Sequence, residues 1–183
     1  MIASQIDISK ALNINGWMTE RELIWLASNA QKCERIVEFG SYLGRSTRAL
    51  ADNTSGRVWA VDPWNGDYPT EDGSSLEYLN TFVMPQFVHN LEDHIKTGKV
   101  TPVRGFSTSF KLDELVDMVF IDGDHTYKTV KKDINVALGL LKKGGIISGH
   151  DYGHPLWTGV ERAVHEFFGP VNVEDSIWWT LKF

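Results

Sequence analysis

Apolar residues recur along this chain in two alternating rhythms, one of helical spacing and one of short unbroken runs. Thr19-Glu-Arg-Glu22 has the form of a capping box, in which a threonine hydroxyl and a glutamate carboxylate satisfy orphan amides at a helix start. Leu23, Ile24, Ala27 and Ala30 then supply an apolar stripe, which predicts a helix over 19–31. Arg35-Ile-Val-Glu-Phe39 is a β-branched run ended by Gly40, and after Gly44 the stretch 46–51 suits a helix opened by a small polar residue. Strand, glycine turn and helix follow in order.

The pattern repeats downstream. Residues 57–61 read as a second strand, 63–75 as a loop, and 76–96 as a helical region interrupted near Pro85, with Phe87, Val88, Leu91 and Ile95 on one side. Strands are expected at 99–103, 116–121 and 145–148, with a helix over about 126–142 that stops at Gly144-Gly145. A last helix at 159–168 carries Val160, Val164, Phe167 and Phe168. Two strands, 171–173 and 177–183, are joined by a tight turn at Glu174-Asp175-Ser176. Short apolar strands alternating with helices imply right-handed crossovers and a parallel sheet covered on both faces, here with an antiparallel pair at the end. The fold class is a doubly wound α/β domain.

Composition narrows the picture. A chain of 183 residues that is 42% hydrophobic makes one domain. It comprises an N-terminal helical segment, 1–33, and a core, 34–183. The single cysteine, Cys33, allows no intrachain disulfide, and Met1 opens onto Ile-Ala-Ser-Gln rather than a basic stretch and an apolar core. A cytoplasmic protein is expected. No window approaches the roughly 18 uninterrupted apolar residues of a membrane span. With 18 basic against 24 acidic residues the net charge is −6, which disfavours a nucleic acid partner. Lys128, Lys131 and Lys132 lie opposite Val130, Ile134 and Ala137 and read as a solvated helix face. A small-molecule partner is expected, and a homo-oligomer is left open.

In an open α/β sheet, ligands bind beyond the carboxyl ends of the strands, so the residues just after each strand carry the chemistry. Here they are polar and acidic: Glu38 to Gly44, Asp62 to Trp64, Gly105 to Ser107, Asp122-Gly-Asp-His125 and Gly149-His-Asp-Tyr152. A glycine turn lets the backbone approach a ligand, and an acid after the next strand can accept both hydroxyls of a ribose. The first half therefore describes a nucleoside site. Its glycines are spaced wrongly for the fingerprint of a pyrophosphate-binding dinucleotide fold, since no third glycine opens the helix.

Glu-x-Gly-x-x-x-Gly at 38–44, Asp62, Phe120-Ile-Asp-Gly-Asp-His-Thr-Tyr127 and Gly144-Gly-Ile-Ile-Ser-Gly-His-Asp-Tyr152 together resemble the class I S-adenosylmethionine-dependent methyltransferases. The nearer likeness is to the branch of metal-assisted sugar and antibiotic O-methyltransferases, with relatives labelled cephalosporin hydroxylases. It runs from about Gly16 to Phe183. The resemblance implies a seven-stranded Rossmann-like sheet whose last strand is antiparallel. It implies that Glu38, Gly40, Ser41 and Gly44 surround the methionine end of S-adenosylmethionine, that Asp62 holds the ribose, that Trp64 or Phe106 covers the adenine, and that Ser107 bonds its edge. Asp122 would close the site beneath the sulfonium. In the metal-assisted relatives the acid ending the fourth strand and a pair ending the fifth hold magnesium, and Asp122 with His150-Asp151 match those positions. The imidazole at 150 suits manganese or another transition ion better than magnesium.

Methyl transfer to an alcohol needs an aligned acceptor and a group to remove the hydroxyl proton. Asp124 and His125 are the candidate bases, with Asp124 preferred. His89, His94 and His165 fall within helices and read as structural. Two other readings are kept beside this one: an NAD-dependent oxidoreductase, which shares the glycine turn and ribose acid, and a non-catalytic cofactor-binding module, which would have no use for Asp124 and His125. Acceptor specificity is expected from the N-terminal segment, the 63–75 loop and 152–158, with Trp17, Trp64, Tyr68, Tyr152 and Trp157 available as an apolar wall.

Overall fold

The computed structural model describes residues 5–65, 67–69, 75–77 and 82–183. In chain order the elements are α1 (Ser9–Leu12), α2 (Glu20–Ala30), β1 (Arg35–Phe39), α3 (Arg45–Asn53), β2 (Arg57–Asp62), β3 (Asp67–Pro69), β4 (Ser75–Glu77), α4 (Val83–Asn90) and α5 (Glu92–Lys96). They continue with β5 (Val100–Arg104), β6 (Val116–Ile121), α6 (Tyr127–Leu140), β7 (Leu141–Gly149), α7 (Thr158–Phe168), β8 (Asn172–Glu174) and β9 (Ile177–Leu181).

Seven strands form one sheet in the order β5-β2-β1-β6-β7-β9-β8. The first five pair in parallel, β9 runs antiparallel to β7, and β8 antiparallel to β9. Strand period sends alternate side chains to opposite faces. Ile36, Met118 and Phe120 therefore join α1 to α4 in one core, while Val37, Val119 and Ile121 join α6 and α7 in the other. This is the doubly covered, seven-stranded sheet expected. Its strand order reverses between β1 and β6, and the crevice beyond that point is where a ligand belongs. No helix among the described residues is long and apolar enough to cross a membrane.

Three boundaries differ from the sequence reading. Part of the expected 63–75 loop is a two-stranded antiparallel ribbon, β3 with β4. The helical region begins only at Val83 and breaks at Leu91, not near Pro85, because Pro85 sits in the first turn of α4, where its missing N–H is not needed. Residues 66, 70–74 and 78–81 lie outside the described residues. Lastly, α6 gives way to β7 at the fully buried Leu141, which pairs with Val116 before the register slips and Met118 pairs with Ile146. The slip accommodates Gly144, at φ +75°, as a bulge inside the strand rather than a stop before it.

Candidate active site

The capping box predicted at Thr19 is present: Thr19 caps α2, and Glu22 Oε2 accepts from the Thr19 amide at 2.8 Å. That leaves Glu22 Oε1 free to reach across the molecule. It accepts from the Ser176 hydroxyl at 2.6 Å and faces His150 Nε2 at 3.1 Å. Glu22 is buried, and although burial resists its charge, His150 and Ser176 bring its carboxyl down to about 2. Helix α2 is thereby tied to the loop after β7 and to the turn before β9.

Beyond β6 and β7 the acids and histidines converge. His125 Nε2 lies 2.9 Å from Asp151 Oδ2, and the His125 ring stacks on Trp157 with centroids 4.5 Å apart. Its Nδ1 is buried and has no hydrogen-bond partner among the described residues. His150 Nδ1 faces Asp151 Oδ2 at 3.3 Å and Asp122 Oδ1 at 3.5 Å. Burial works against charge on His150, but Asp122, Asp151 and Glu22 overcome it, and the ring is pushed up to about 12. In turn, burial resists charge on Asp151, yet His125 and His150 hold its carboxyl well below the ordinary range. Asp151 also holds a left-handed backbone, φ +62°, which costs a non-glycine residue roughly 1–3 kcal/mol and places its carboxylate between the two rings.

On the other side of the crevice the glycine turn is fastened by Asp62. Its Oδ2 accepts from the amides of Ser41 and Tyr42 at 2.8 and 2.9 Å, and its Oδ1 from the amide of Trp64 at 2.6 Å. A carboxylate offers about four acceptor positions, so Asp62 has room for one ribose hydroxyl, not the two expected. Burial raises its carboxyl above the usual value, with Asp122 adding to the effect. Gly40 is at φ +85°, and a Cβ there would come within 2.1 Å of the Asp122 carbonyl. Glycine is thus demanded by the close approach of β1 to β6.

All these groups open on one cleft of about 1060 Å³, which brings together Gly40, Ser41, Asp62, Phe106, Ser107, Asp122, Asp124, His125, His150 and Asp151. Three residues expected to touch the cofactor lie elsewhere. Glu38 is fully buried beneath the turn, where it accepts from the hydroxyls of Ser41 and Thr47, and burial raises its carboxyl to about 7. Gly44 caps α3 at φ +90° and faces Leu91 of α4. Trp64 is buried against Phe87 and donates its indole N–H to the Tyr42 carbonyl, so of the two candidates for an adenine cover only Phe106 is exposed in the cleft. His150, expected as a metal ligand, has both nitrogens turned to carboxylates. Among the described residues, the side chains that can bring one ligand atom each within 4.8 Å of one another are Asp122, His125 and Asp151.

Of the expected aromatic wall, Trp17 and Trp157 line the cleft, Tyr152 packs into the second core, and the Tyr68 side chain lies outside the described residues. Arg45 anchors the N-terminal side: its guanidinium donates to the carbonyls of Leu12, Ile14 and Met18, which holds Gly16 to Met18 against the cleft. Three lining acids were missed, one of them Asp175 in the turn before β9. Glu22 was read only as a local cap. Asp133 stands within the apolar stripe of α6, three residues after Val130 and four before Ala137, and an acid there signals a buried polar role. It accepts from the Ser107 hydroxyl, and burial raises its carboxyl to about 7. Lys132, counted with the solvated face, also reaches the rim.

The methyltransferase domain family matches residues 37–152. The chain belongs to that family. The uncharacterized protein R132 of Acanthamoeba polyphaga mimivirus is 26% identical over 86 residues, a match that covers 47% of this chain and only 31% of that relative. Among solved structures, the O-methyltransferase TomG from Streptomyces achromogenes, involved in tomaymycin synthesis and solved with SAM, aligns with a TM-score of 0.65 at 15% identity. It covers all of this chain and 93% of TomG. A calicheamicin methyltransferase aligns with a TM-score of 0.69 at 17% identity over 88% of this chain and 77% of its own. These likenesses establish the seven-stranded Rossmann-like methyltransferase fold. The resemblance to the class I methyltransferases drawn from the strand-end motifs stands.

Proposed function

We propose that this methyltransferase-family chain transfers a methyl group from S-adenosylmethionine to a hydroxyl of a small molecule of sugar or natural-product type. The observation that carries the reading is the shared cleft. Ser41, Asp62, Phe106 and Ser107 line it toward β2 and β5, and Asp122, His125 and Asp151 line it toward β6 and β7. The first group would hold the nucleoside through the remaining acceptor position of Asp62, the Ser107 hydroxyl and the exposed Phe106 ring. Asp62 is a buried acid held by backbone amides, and it lines the cleft where the nucleoside would lie. Bound S-adenosylmethionine supplies an electrophilic methyl carbon on sulfur.

His125 is the base the geometry favours. The ring, which Asp151 orients at 2.9 Å, would take the hydroxyl proton as the oxygen bonds to the methyl carbon and the methyl–sulfur bond breaks to release S-adenosylhomocysteine. Asp151 then stabilises the imidazolium that forms, as the carboxylate does in a hydrolase triad. Asp124 also lines the cleft, but its Oδ1 accepts from the Thr126 amide at 2.6 Å and shapes the start of α6. The exposed Trp17 and Leu156 and the Trp157 ring offer apolar surface to the acceptor. For a divalent ion, the expected trio of Asp122, His150 and Asp151 does not fit, because His150 presents both nitrogens to carboxylates. No step of the reaction is assigned to a metal.

Calorimetry with S-adenosylmethionine and with NAD, followed by measurement of S-adenosylhomocysteine release over a panel of hydroxyl acceptors, tests this reading. Saturable binding of the sulfonium alone is expected. Binding of NAD in its place would return the oxidoreductase alternative, and binding without turnover on any acceptor would favour the carrier module.

A further inference from the structure

The hydrogen-bond geometry around His150 is one that the charged ring satisfies and the neutral ring does not. Nε2 is 3.1 Å from Glu22 Oε1, and Nδ1 is 3.3 Å from Asp151 Oδ2 and 3.5 Å from Asp122 Oδ1. Ionised carboxylates only accept hydrogen bonds, so a neutral imidazole would set its lone pair against one of these oxygens. The groups facing the ring come from three elements: Glu22 from α2, Asp122 from the end of β6, and Asp151 just beyond β7. His125 adjoins them through Asp151.

The two carboxylates that face Nδ1 belong to the convergent set Asp122, His125 and Asp151. A divalent ion bridging them would stand beside a fixed positive ring. Nδ1 already faces both oxygens.

We propose that His150, clamped by Glu22, is the resident cation of this site and bridges Asp122 and Asp151 in place of a divalent ion, so that the protein takes up no metal there. Its consequence for catalysis rests on the methyl-transfer reading. A fixed cation keeps Asp151 ionised, and an ionised Asp151 receives the His125 Nε2–H and orients the base. Glu22 is then a positioning residue that acts through His150.

Two measurements on the unaltered protein decide the matter. With ¹⁵N-labelled histidine, both His150 nitrogens should show imidazolium shifts at about pH 9, well above the roughly 6.5 of a free ring. A neutral ring there overturns the proposal. In a Mn²⁺ titration followed by electron paramagnetic resonance, no specific uptake is expected up to ~1 mM, the weak end of carboxylate sites. One ion per chain bound at micromolar concentration overturns it as well. The double variant Glu22→Gln with His150→Asp removes the cation and leaves three carboxylates, so it should bind one Mn²⁺ at least ~10-fold more tightly than the parent. Equal affinity in the two proteins would count against the proposal. Failure of the parent protein to bind S-adenosylmethionine bears on the methyl-transfer reading alone, because none of these readouts uses turnover.

Discussion

Two sets of buried acids lie on either side of the crevice, and their carboxyls shift in opposite directions although burial raises every one of them. Under the glycine turn, Glu38 and Asp62 bond to hydroxyls and backbone amides, and burial raises both carboxyls. Beside β6 and β7, Glu22 and Asp151 face imidazoles and lie less deep, and both are lowered although burial opposes it. Imidazole partners outweigh the burial of one pair, whereas hydroxyls and amides do not outweigh the deeper burial of the other. On the β6–β7 side the acids face imidazoles, whereas on the β1–β2 side Glu38 and Asp62 are held by hydroxyls and backbone amides.

The largest effect should fall on the β6–β7 side. His125→Gln removes the proposed base, and methyl transfer should drop by about 10²–10⁴-fold, the usual worth of a positioned acid or base, with S-adenosylmethionine affinity changed by no more than a few-fold. Asp124→Asn keeps an acceptor for the Thr126 amide and should leave turnover within a few-fold. S-adenosylhomocysteine release checks both variants, and the reverse ranking would move the base to Asp124.

The opposite side should reveal itself through pH. The Glu38 carboxyl stands at about 7 in the fold against an ordinary 4.5, so its neutral form is the one the fold prefers. The stabilisation is complete below pH 4.5 and is lost as pH rises through 7. Glu38→Gln abolishes that loss. The stability of the variant minus that of the parent should therefore grow from near zero in acid to about 3 kcal/mol at alkaline pH, read from urea unfolding at each pH. A constant difference across the range would mean that Glu38 titrates normally and that the contrast between the two sides is misplaced.

Next in size is Asp62→Ala. Losing three amide bonds to the turn as well as the ribose contact should weaken S-adenosylmethionine binding by about 1.5–3 kcal/mol, the range for charge-assisted hydrogen bonds. Calorimetry measures it. Unchanged affinity would detach Asp62 from the cofactor and leave it as a fastener of Ser41 and Tyr42 alone.

How far the site could be read from the chain also differs between the two sides. The motif positions Gly40, Asp62, Asp122 and His125 were legible because strand ends and tight turns leave local marks. The sheet followed from alternating strands and helices, since each short apolar run needs both faces covered. What stayed hidden were the pairings that depend on distance in the chain. Glu22 meets His150 across 128 positions, and nothing local distinguishes a capping glutamate with one free oxygen from one whose second oxygen is employed elsewhere. His150 for the same reason looked like a metal ligand until its carboxylate neighbours were in place. Gly44 and Trp64 were misread because a turn written for a ligand and a turn written for helix packing use the same residues.

The smallest effect isolates that hidden pairing. Thr19 caps α2 with its hydroxyl, and its amide fixes Glu22 Oε2, so Thr19→Ala removes the cap while leaving the amide in place. A lost cap costs about 1 kcal/mol of stability. If the Thr19 amide together with His150 and Ser176 suffices to hold Glu22, the loss should stay near that figure, and the His150 imidazolium shifts should not move. If the hydroxyl cap is what keeps α2 wound tightly enough for Glu22 to reach, the unfolding midpoint and the His150 signals will shift together. The β6–β7 side would then owe its charge to a helix start more than 120 residues away in the chain, and its independence from the rest of the molecule would be narrower than the contrast with Glu38 and Asp62 suggests.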